Sequence, residues 1–317
     1  MSIVLTGSIA YDYLMTFPGR FQDHILPDRL DRLSLSFLVD SMVRRRGGIA
    51  ANIAYTMALL GERPTVMATV GQDFDEYREF LEETGVDTSG IRVEPDLFTA
   101  SFFVNTDENN AQIASFYAGA MAKAPELSFA DLDSTPELAV ISANEPEAMQ
   151  SYAQECLELR IPYAYDPSQQ TVRLDPTMLR EGIEGAMAVF VNDYEFELAQ
   201  DKTGMGVDEM LTHCDFVVIT KAEEGAEVHT ASGRIDIDAA PPDRIKDPTG
   251  VGDAFRAGFL KGYLDDFSLE RCGQMGAVAA TFCLEHEGPQ GHSFDRRSYV
   301  SRFREHFDDQ GDLDPLT

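Results

Sequence analysis

Short apolar runs alternate along this chain with longer stretches in which apolar residues recur every three or four positions. Ile3-Val-Leu-Thr-Gly7 is such a run, ending in glycine as the first strand of a buried parallel sheet does. The pattern predicts a helix over Ala50–Leu60, a strand over Thr65–Val70 and an amphipathic helix over Phe74–Thr84. Further strands are expected at Leu138–Ser142, Pro162–Tyr165, Met187–Val191 and Asp215–Thr220. Helical patterns at Glu147–Arg160, Pro176–Glu184 and Tyr194–Gln200 separate them, and Asp253–Leu264 and Leu269–Glu285 read as helices. Such alternation implies an α/β fold, a parallel sheet with helices on both faces. Two segments break the rhythm. Tyr13–Arg46 shows no clear element and carries Arg44-Arg-Arg46, while Thr99–Thr106 and Ala111–Tyr117 read as two strands joined by the turn Asp107-Glu-Asn-Asn110. The acidic tail from Asp308 is expected to fray.

Composition narrows the class. A chain of 317 residues with 44% apolar content can bury one large α/β core or two small ones. No apolar run is long enough to span a bilayer, and the N-terminal residues lack a secretory pattern, so a cytoplasmic protein is expected. The four cysteines, at 156, 214, 272 and 283, have no metal-site spacing and read as small buried hydrophobes in a reducing compartment. Acids outnumber bases 55 to 25, a formal charge of −30, which disfavours nucleic acid and anionic membrane as partners. An acidic, lysine-poor surface is in the style of halophilic proteins, whose self-repulsion salt screens. An ordinary acidic mesophilic protein would read the same.

Candidate chemistry begins at Asp247-Pro-Thr-Gly-Val-Gly-Asp253, which runs directly into the apolar-striped stretch Ala254–Tyr263. Small residues at a helix start let backbone N–H groups converge on an anion, where the helix dipole adds positive potential. A carboxylate at Asp253 makes chemical sense there if it takes a proton from a hydroxyl that attacks a phosphate. A capping Asp on an ordinary helix is the alternative. Gly47-Gly-Ile-Ala-Ala-Asn52 opens a second helix that closes on Gly61. With these two elements in this order, the chain resembles the PfkB (ribokinase-like) family of carbohydrate and nucleoside kinases, from Val4 to about His292.

The resemblance implies a three-layer ribokinase-like fold, with a mostly parallel central sheet and a small β lid over the substrate. Residues 1–12, 47–96 and 121–317 would form the large nucleotide-binding and catalytic domain, and 13–46 and 97–120 the lid. It implies ATP as phosphoryl donor, Asp253 as general base, and an anion hole at Gly250, Val251 and Gly252. Asn192 would lie near the triphosphate, and Glu195 would organise Mg²⁺ through water; a helix cap is the alternative for both. ATP would run along Thr220 and Gly225, although Ala222 stands where the family has the first glycine of Thr-x-Gly-x-x-Gly. Pro248 also departs from the commoner threonine. Adenine would sit near the Gly276–His286 helix and the loop from Glu287 to His292. A possible K⁺ would lie beside the carbonyls of Asp247 and Thr249.

On the acceptor side, Ser8 and Asp12 follow the first strand. Asp12, Gly48 and Asn52 together suit a vicinal diol, since a carboxylate accepts from two hydroxyls and an amide both donates and accepts. Strand alternation puts Phe102 and Phe103 on opposite faces, and likewise Phe116 and Tyr117, so one aromatic from each strand can sandwich a flat ring. Packing within the lid, or between two lids in a homodimer, is the alternative use of these rings. Gln169 and Gln170 follow another strand end and offer polar contacts. Phe116-Tyr-Ala-Gly-Ala120 and Glu285–His292 also resemble the adenosine kinases of bacteria within this family. The expected reaction is therefore phosphorylation of the 5′-hydroxyl of a nucleoside, adenosine giving AMP. A sugar kinase acting on ribose, fructose or a related ketose is the nearest rival, and a non-catalytic nucleoside- or sugar-binding protein the rival of another class.

Overall fold

The computed structural model describes residues 2–25 and 34–317; residues 26–33, in the middle of the Tyr13–Arg46 stretch, lie outside the described residues. The strands are β1 (Ile3–Thr6), β2 (Ala10–Thr16), β3 (Ser41–Gly47), β4 (Thr65–Gly71), β5 (Ile91–Glu94), β6 (Ala100–Thr106) and β7 (Gln112–Tyr117), followed by β8 (Leu138–Ser142), β9 (Tyr163–Asp166), β10 (Ala188–Asn192), β11 (Phe216–Thr220), β12 (Ala226–Thr230) and β13 (Gly233–Ile237). The helices are α1 (Ile49–Leu59), α2 (Asp75–Thr84), α3 (Pro146–Leu159), α4 (Pro176–Glu184), α5 (Asp193–Thr203), α6 (Val207–Met210), α7 (Val251–Leu264), α8 (Leu269–Leu284) and α9 (Arg296–His306).

Nine strands form one sheet in the order β13-β12-β11-β10-β9-β8-β1-β4-β5, parallel from β11 to β5 and closed at one edge by the antiparallel pair β12 and β13. The central strands are mostly apolar because both of their faces are covered. Along β1, Ile3 and Leu5 pack with α1, α2 and α7, while Val4 packs with Tyr152 of α3 and the residues around α4. A second sheet of four strands, β3-β2-β6-β7, stands beside the first. It is attached through Gly7–Ile9, because β2 begins four residues after β1 ends.

Three expectations need correction. The rhythmless stretch holds two strands, β2 and β3, paired antiparallel from Ala10↔Gly47 to Thr16↔Ser41. Only Tyr11 and Tyr13 of β2 reach the main core, and most other positions of the two strands are part-exposed whatever their polarity, so alternation is lost. The tail from Asp308 is docked, not frayed: Leu313 and Leu316 are buried against α8 and α9, and Arg304 grips Asp309 and Asp314. The hairpin β12–β13, strand β5 and helix α9 went unpredicted, being short or strongly charged on their outer faces. The four cysteines are free and buried, as expected. Among the described residues no helix is long and apolar enough to cross a membrane.

Candidate active site

The stretch from Asp247 to Asp253 folds as a loop that turns into α7 at Gly250, whose φ of 80° is left-handed. A Cβ on Gly250 would fall 2.3 Å from Cβ of Pro289, so only glycine lets the two loops touch. Gly250, Val251 and Gly252 thereby lie at the open start of a helix, where the Val251 N–H donates weakly to the Pro248 carbonyl at 3.4 Å. Asp253 lies in that first turn. Its Oδ2 accepts from Asn52 Nδ2 at 2.8 Å, and Asn52 Oδ1 accepts from Gln290 Nε2 at 2.8 Å. Gln290 also donates to the Tyr77 hydroxyl, which donates to the Gly47 carbonyl at 2.9 Å. The two glycine-led helices are thus joined through one amide relay. Burial pushes the Asp253 carboxyl up to about 6, and Glu195 adds to this; Arg256 and the Asn52 hydrogen bond act the other way.

A second group gathers beneath this helix start. Arg256 of α7 reaches Oδ1 of Asp166, at the end of β9, at 2.7 Å, and Oε2 of Glu195 at 3.9 Å. Burial pushes the Asp166 carboxyl up to about 7 despite Arg256. Asn192 and Glu195 form a reciprocal capping box at the start of α5, Asn192 Oδ1 accepting from Glu195 N at 2.7 Å and Glu195 Oε2 from Asn192 N at 2.9 Å. The cap reading of these two residues is therefore realised, and it holds Glu195 at the Arg256 side of the site. Next along the sheet, Thr220 ends β11 and Gly225 closes the following turn with φ 90°, where a Cβ would lie 2.0 Å from the Ile237 carbonyl oxygen. Ala222 adopts φ 48°, the left-handed conformation that a glycine would take at no steric cost.

The second sheet contributes a row. In register across its four strands lie Arg45, Asp12, Phe102 and Phe116, which share one face. Arg45 of that row pairs with Asp247 at 2.5 Å, so the row faces the loop ahead of α7. Burial raises the Asp12 carboxyl to about 6, with Arg45 opposing and Asp247 adding to the shift. For Asp247, burial is outweighed by the Thr249 and Gly288 hydrogen bonds and by Arg45, which together hold its carboxyl below the usual range. Phe102 and Phe116 are direct cross-strand partners, and Phe116 is 52% exposed. Phe103 turns to the other face and stacks on Tyr13 at 4.7 Å between centroids. Ser8 meets the start of α1, its Oγ accepting from Ile49 N at 3.3 Å. Gly48 (φ 96°) crosses the same point with room for no Cβ, which would sit 2.5 Å from Ile9 Cα. Gln169 and Gln170 lie in a 3-10 turn after β9; Gln169 is exposed, and Gln170 Oε1 is buried without a hydrogen-bond partner among the described residues. Thr249 offers its carbonyl to Cys283 Sγ at 3.5 Å.

Of the residues singled out from the sequence, Asp253, Asn52 and the glycines of both helix starts come together, but both ends of the Asn52 amide are spent on Asp253 and Gln290 and not left for a diol. Sequence reasoning missed Gln290, Tyr77, Arg45, Asp166 and Arg256. An arginine in the first turns of an otherwise apolar helix was the one legible signal among these, since a buried cation requires partners.

A recessed carboxylate, an N–H-lined helix start and a polar row facing both are the parts needed to move a phosphoryl group onto a hydroxyl, and this fold and site define a small-molecule phosphotransferase. The family model for pfkB family carbohydrate kinases matches residues 7–295. A nucleoside kinase of Methanocaldococcus jannaschii is 28% identical over 306 residues, 96% of this chain and 97% of that protein. Among solved structures, the nucleoside kinase of Burkholderia thailandensis in complex with inosine superposes with a TM-score of 0.87 at 34% identity, covering 96% of this chain and 97% of that one. The same kinase in complex with ADP-inosine gives 0.84 at 36% identity, covering 96% of each chain. The chain belongs to the pfkB family of carbohydrate kinases.

Proposed function

We propose that the protein is an ATP-dependent nucleoside kinase that phosphorylates the 5′-hydroxyl of a purine nucleoside, with adenosine, giving AMP, as the first acceptor to test. The observation that carries this reading is the row Asp12, Phe102 and Phe116 on one face of the second sheet. It combines a carboxylate for sugar hydroxyls with adjacent rings for a flat base, and a free sugar has no use for the rings. The solved relative bound to inosine supports the same acceptor class.

In this mechanism Asp12 accepts from the ribose hydroxyls while the base lies against Phe102 and Phe116. Asp253 accepts the proton of the 5′-hydroxyl as its oxygen bonds to the γ-phosphorus of ATP. The bond from that phosphorus to the bridging oxygen breaks, and the electron pair leaves with ADP. The N–H groups of Gly250, Val251 and Gly252 stabilise the charge on the transferred group. The Asn52–Gln290 relay holds Asp253 in one orientation. Thr220 and Gly225 border the rest of the nucleotide.

The site fits magnesium carried with the triphosphate: Glu195 is nearly buried, and beside it Asp166 Oδ2 has no hydrogen-bond partner among the described residues. Glu195 would hold the metal through water, and the ion would supply charge neutralisation on the phosphates. Among the described residues no group of three His, Cys, Asp or Glu side chains forms a metal cage. The reading also keeps K⁺ beside the carbonyls of Asp247 and Thr249, checked by exchanging K⁺ for Na⁺ in the assay. It keeps a homodimer through the outer face of the second sheet, where Met42, Phe103, Ile113 and Tyr117 are exposed, checked by the mass in solution.

The test is ATP turnover with Mg²⁺ and K⁺, at low and molar salt, on adenosine, guanosine, inosine, ribose and fructose. Nucleoside monophosphate as product supports the reading. Turnover on a free sugar alone would keep the kinase and remove the base-stacking role. Binding without turnover would leave a nucleoside-binding protein.

A further inference from the structure

Arg256 has an environment that a structural ion pair does not account for. A guanidinium carries five N–H donors. Here the side chain is 7% exposed, yet its one close partner is Asp166 Oδ1, 2.7 Å from Nη2, with Glu195 Oε2 more distant at 3.9 Å. Nε is buried without a hydrogen-bond partner, and both ion pairs of the guanidinium run through Nη2, leaving Nη1 outside them. Helix side chains lean toward the N-terminus and cover the residue four positions earlier. For Arg256 that residue is Gly252, in the middle of the anion loop. A Cβ on Gly252 would fall 2.8 Å from Nη1, so the glycine is what lets the guanidinium lie against the loop backbone.

We infer that Arg256 is a catalytic residue that donates from Nη1 to an oxygen of the γ-phosphoryl group as it passes from ATP to the acceptor hydroxyl. Asp166 holds the guanidinium in place by the pairing at Nη2, and the absent side chain of Gly252 opens its path to the phosphoryl. The free donor then faces the one ligand of this site that carries charge on three equatorial oxygens. Backbone N–H groups and the guanidinium would grip that group from two directions, a fixed cation supplementing neutral dipoles.

This rests on the kinase reading, and binding measurements separate the two. The affinities of ADP and of an ATP analogue with a non-hydrolysable β,γ-bridge are measured by calorimetry, without nucleoside, for the wild type, Arg256→Met and Arg256→Lys. Arg256→Met should weaken the triphosphate analogue by about 30-fold and ADP by less than about twofold, because only the former has a γ-phosphoryl to contact. kcat should fall about 10²–10³-fold with the nucleoside KM unchanged, the range for one oxyanion donor. Arg256→Lys, which keeps the charge, should recover part of both. Equal weakening of ADP and analogue, or none of either, would overturn the inference and leave Arg256 as a scaffold for Asp166 and Glu195. Should Arg256→Met fail to fold with Asp166 left unpaired, the double variant Asp166→Asn/Arg256→Met removes the buried pair together. Analogue binding as tight as wild type in that variant would also overturn the inference. A wild type that discriminates triphosphate from diphosphate through Arg256 but turns over no nucleoside would sink the nucleoside reading while sustaining this one.

Discussion

Asp253 and Phe116 belong to the same candidate site and live in opposite surroundings. Asp253 is recessed, fixed by Asn52, and backed by Gln290, Tyr77 and Arg256, so that its position is determined from several sides before any ligand arrives. Phe116 sits on the edge strand of a four-stranded sheet, half exposed, with Gln112 to Tyr117 open to solvent along its length. On the proposed reading, chemistry that is the same for every acceptor is built into the rigid start of a helix. The same reading leaves recognition of the acceptor to a surface that its ligand must complete. A phosphoryl group needs charge placed to within tenths of an ångström, whereas a stacked base tolerates sliding.

The sharpest way to break this contrast is at the base. Asp253→Asn should lower kcat by about 10²–10⁴-fold while leaving nucleoside affinity nearly unchanged, since the amide keeps the shape and loses the proton acceptor. Unchanged turnover would remove Asp253 from the chemistry. On the recognition side, Phe102→Ala and Phe116→Ala should each raise KM for a nucleoside by roughly tenfold, the equivalent of one stacking contact, with little change in kcat. Equal losses on a plain sugar would assign these rings to packing of the second sheet instead.

The pH profile sharpens the same comparison more gently. A base must be ionised to act, and burial has raised Asp253 to about 6. At saturating nucleoside, kcat should therefore be flat above that pH and fall about tenfold per unit below it. A limb near 4 would mean that the carboxylate is far better solvated than its surroundings indicate. The smallest expected effect lies in the turn after β11. Ala222 holds a left-handed φ of 48°, so Ala222→Gly should relieve strain and stabilise the fold by about 0.5–1 kcal/mol in a denaturant titration, after the entropy glycine adds to the unfolded chain. No gain would mean that the turn relaxes around the alanine at no cost.

Legibility followed the range of the interactions. Strands β1, β4, β8, β9, β10 and β11 were readable because both of their faces are buried and their sequences are apolar but for polar residues mostly at their ends. Strands β2 and β3 were not, since a small sheet with one face at the site and one outward mixes Asp12, Arg44 and Arg45 with apolar neighbours. The tail from Asp308 looked frayed because its apolar anchors, Leu313 and Leu316, are only two among acidic residues, and what they bury against lies on α8 and α9. Alternation put Phe102 and Phe116 each on one face of its strand. That they are direct partners, and share that face with Asp12, depends on register across three strands.

The sequence by itself determined the layered α/β class, the two glycine-led helix starts and the acid at position 253, because each is written in adjacent residues: apolar period, left-handed glycines, a carboxylate one turn into a helix. Tertiary structure alone decided that Asn52 would hold Asp253 across 201 positions, that Gln290 would steady Asn52, and that Arg256 would lie under Gly252 with Asp166 at its other side. The physical reason is that a hydrogen bond or ion pair needs its partners within about 3 Å, and only the folding of the sheet brings such distant residues that close.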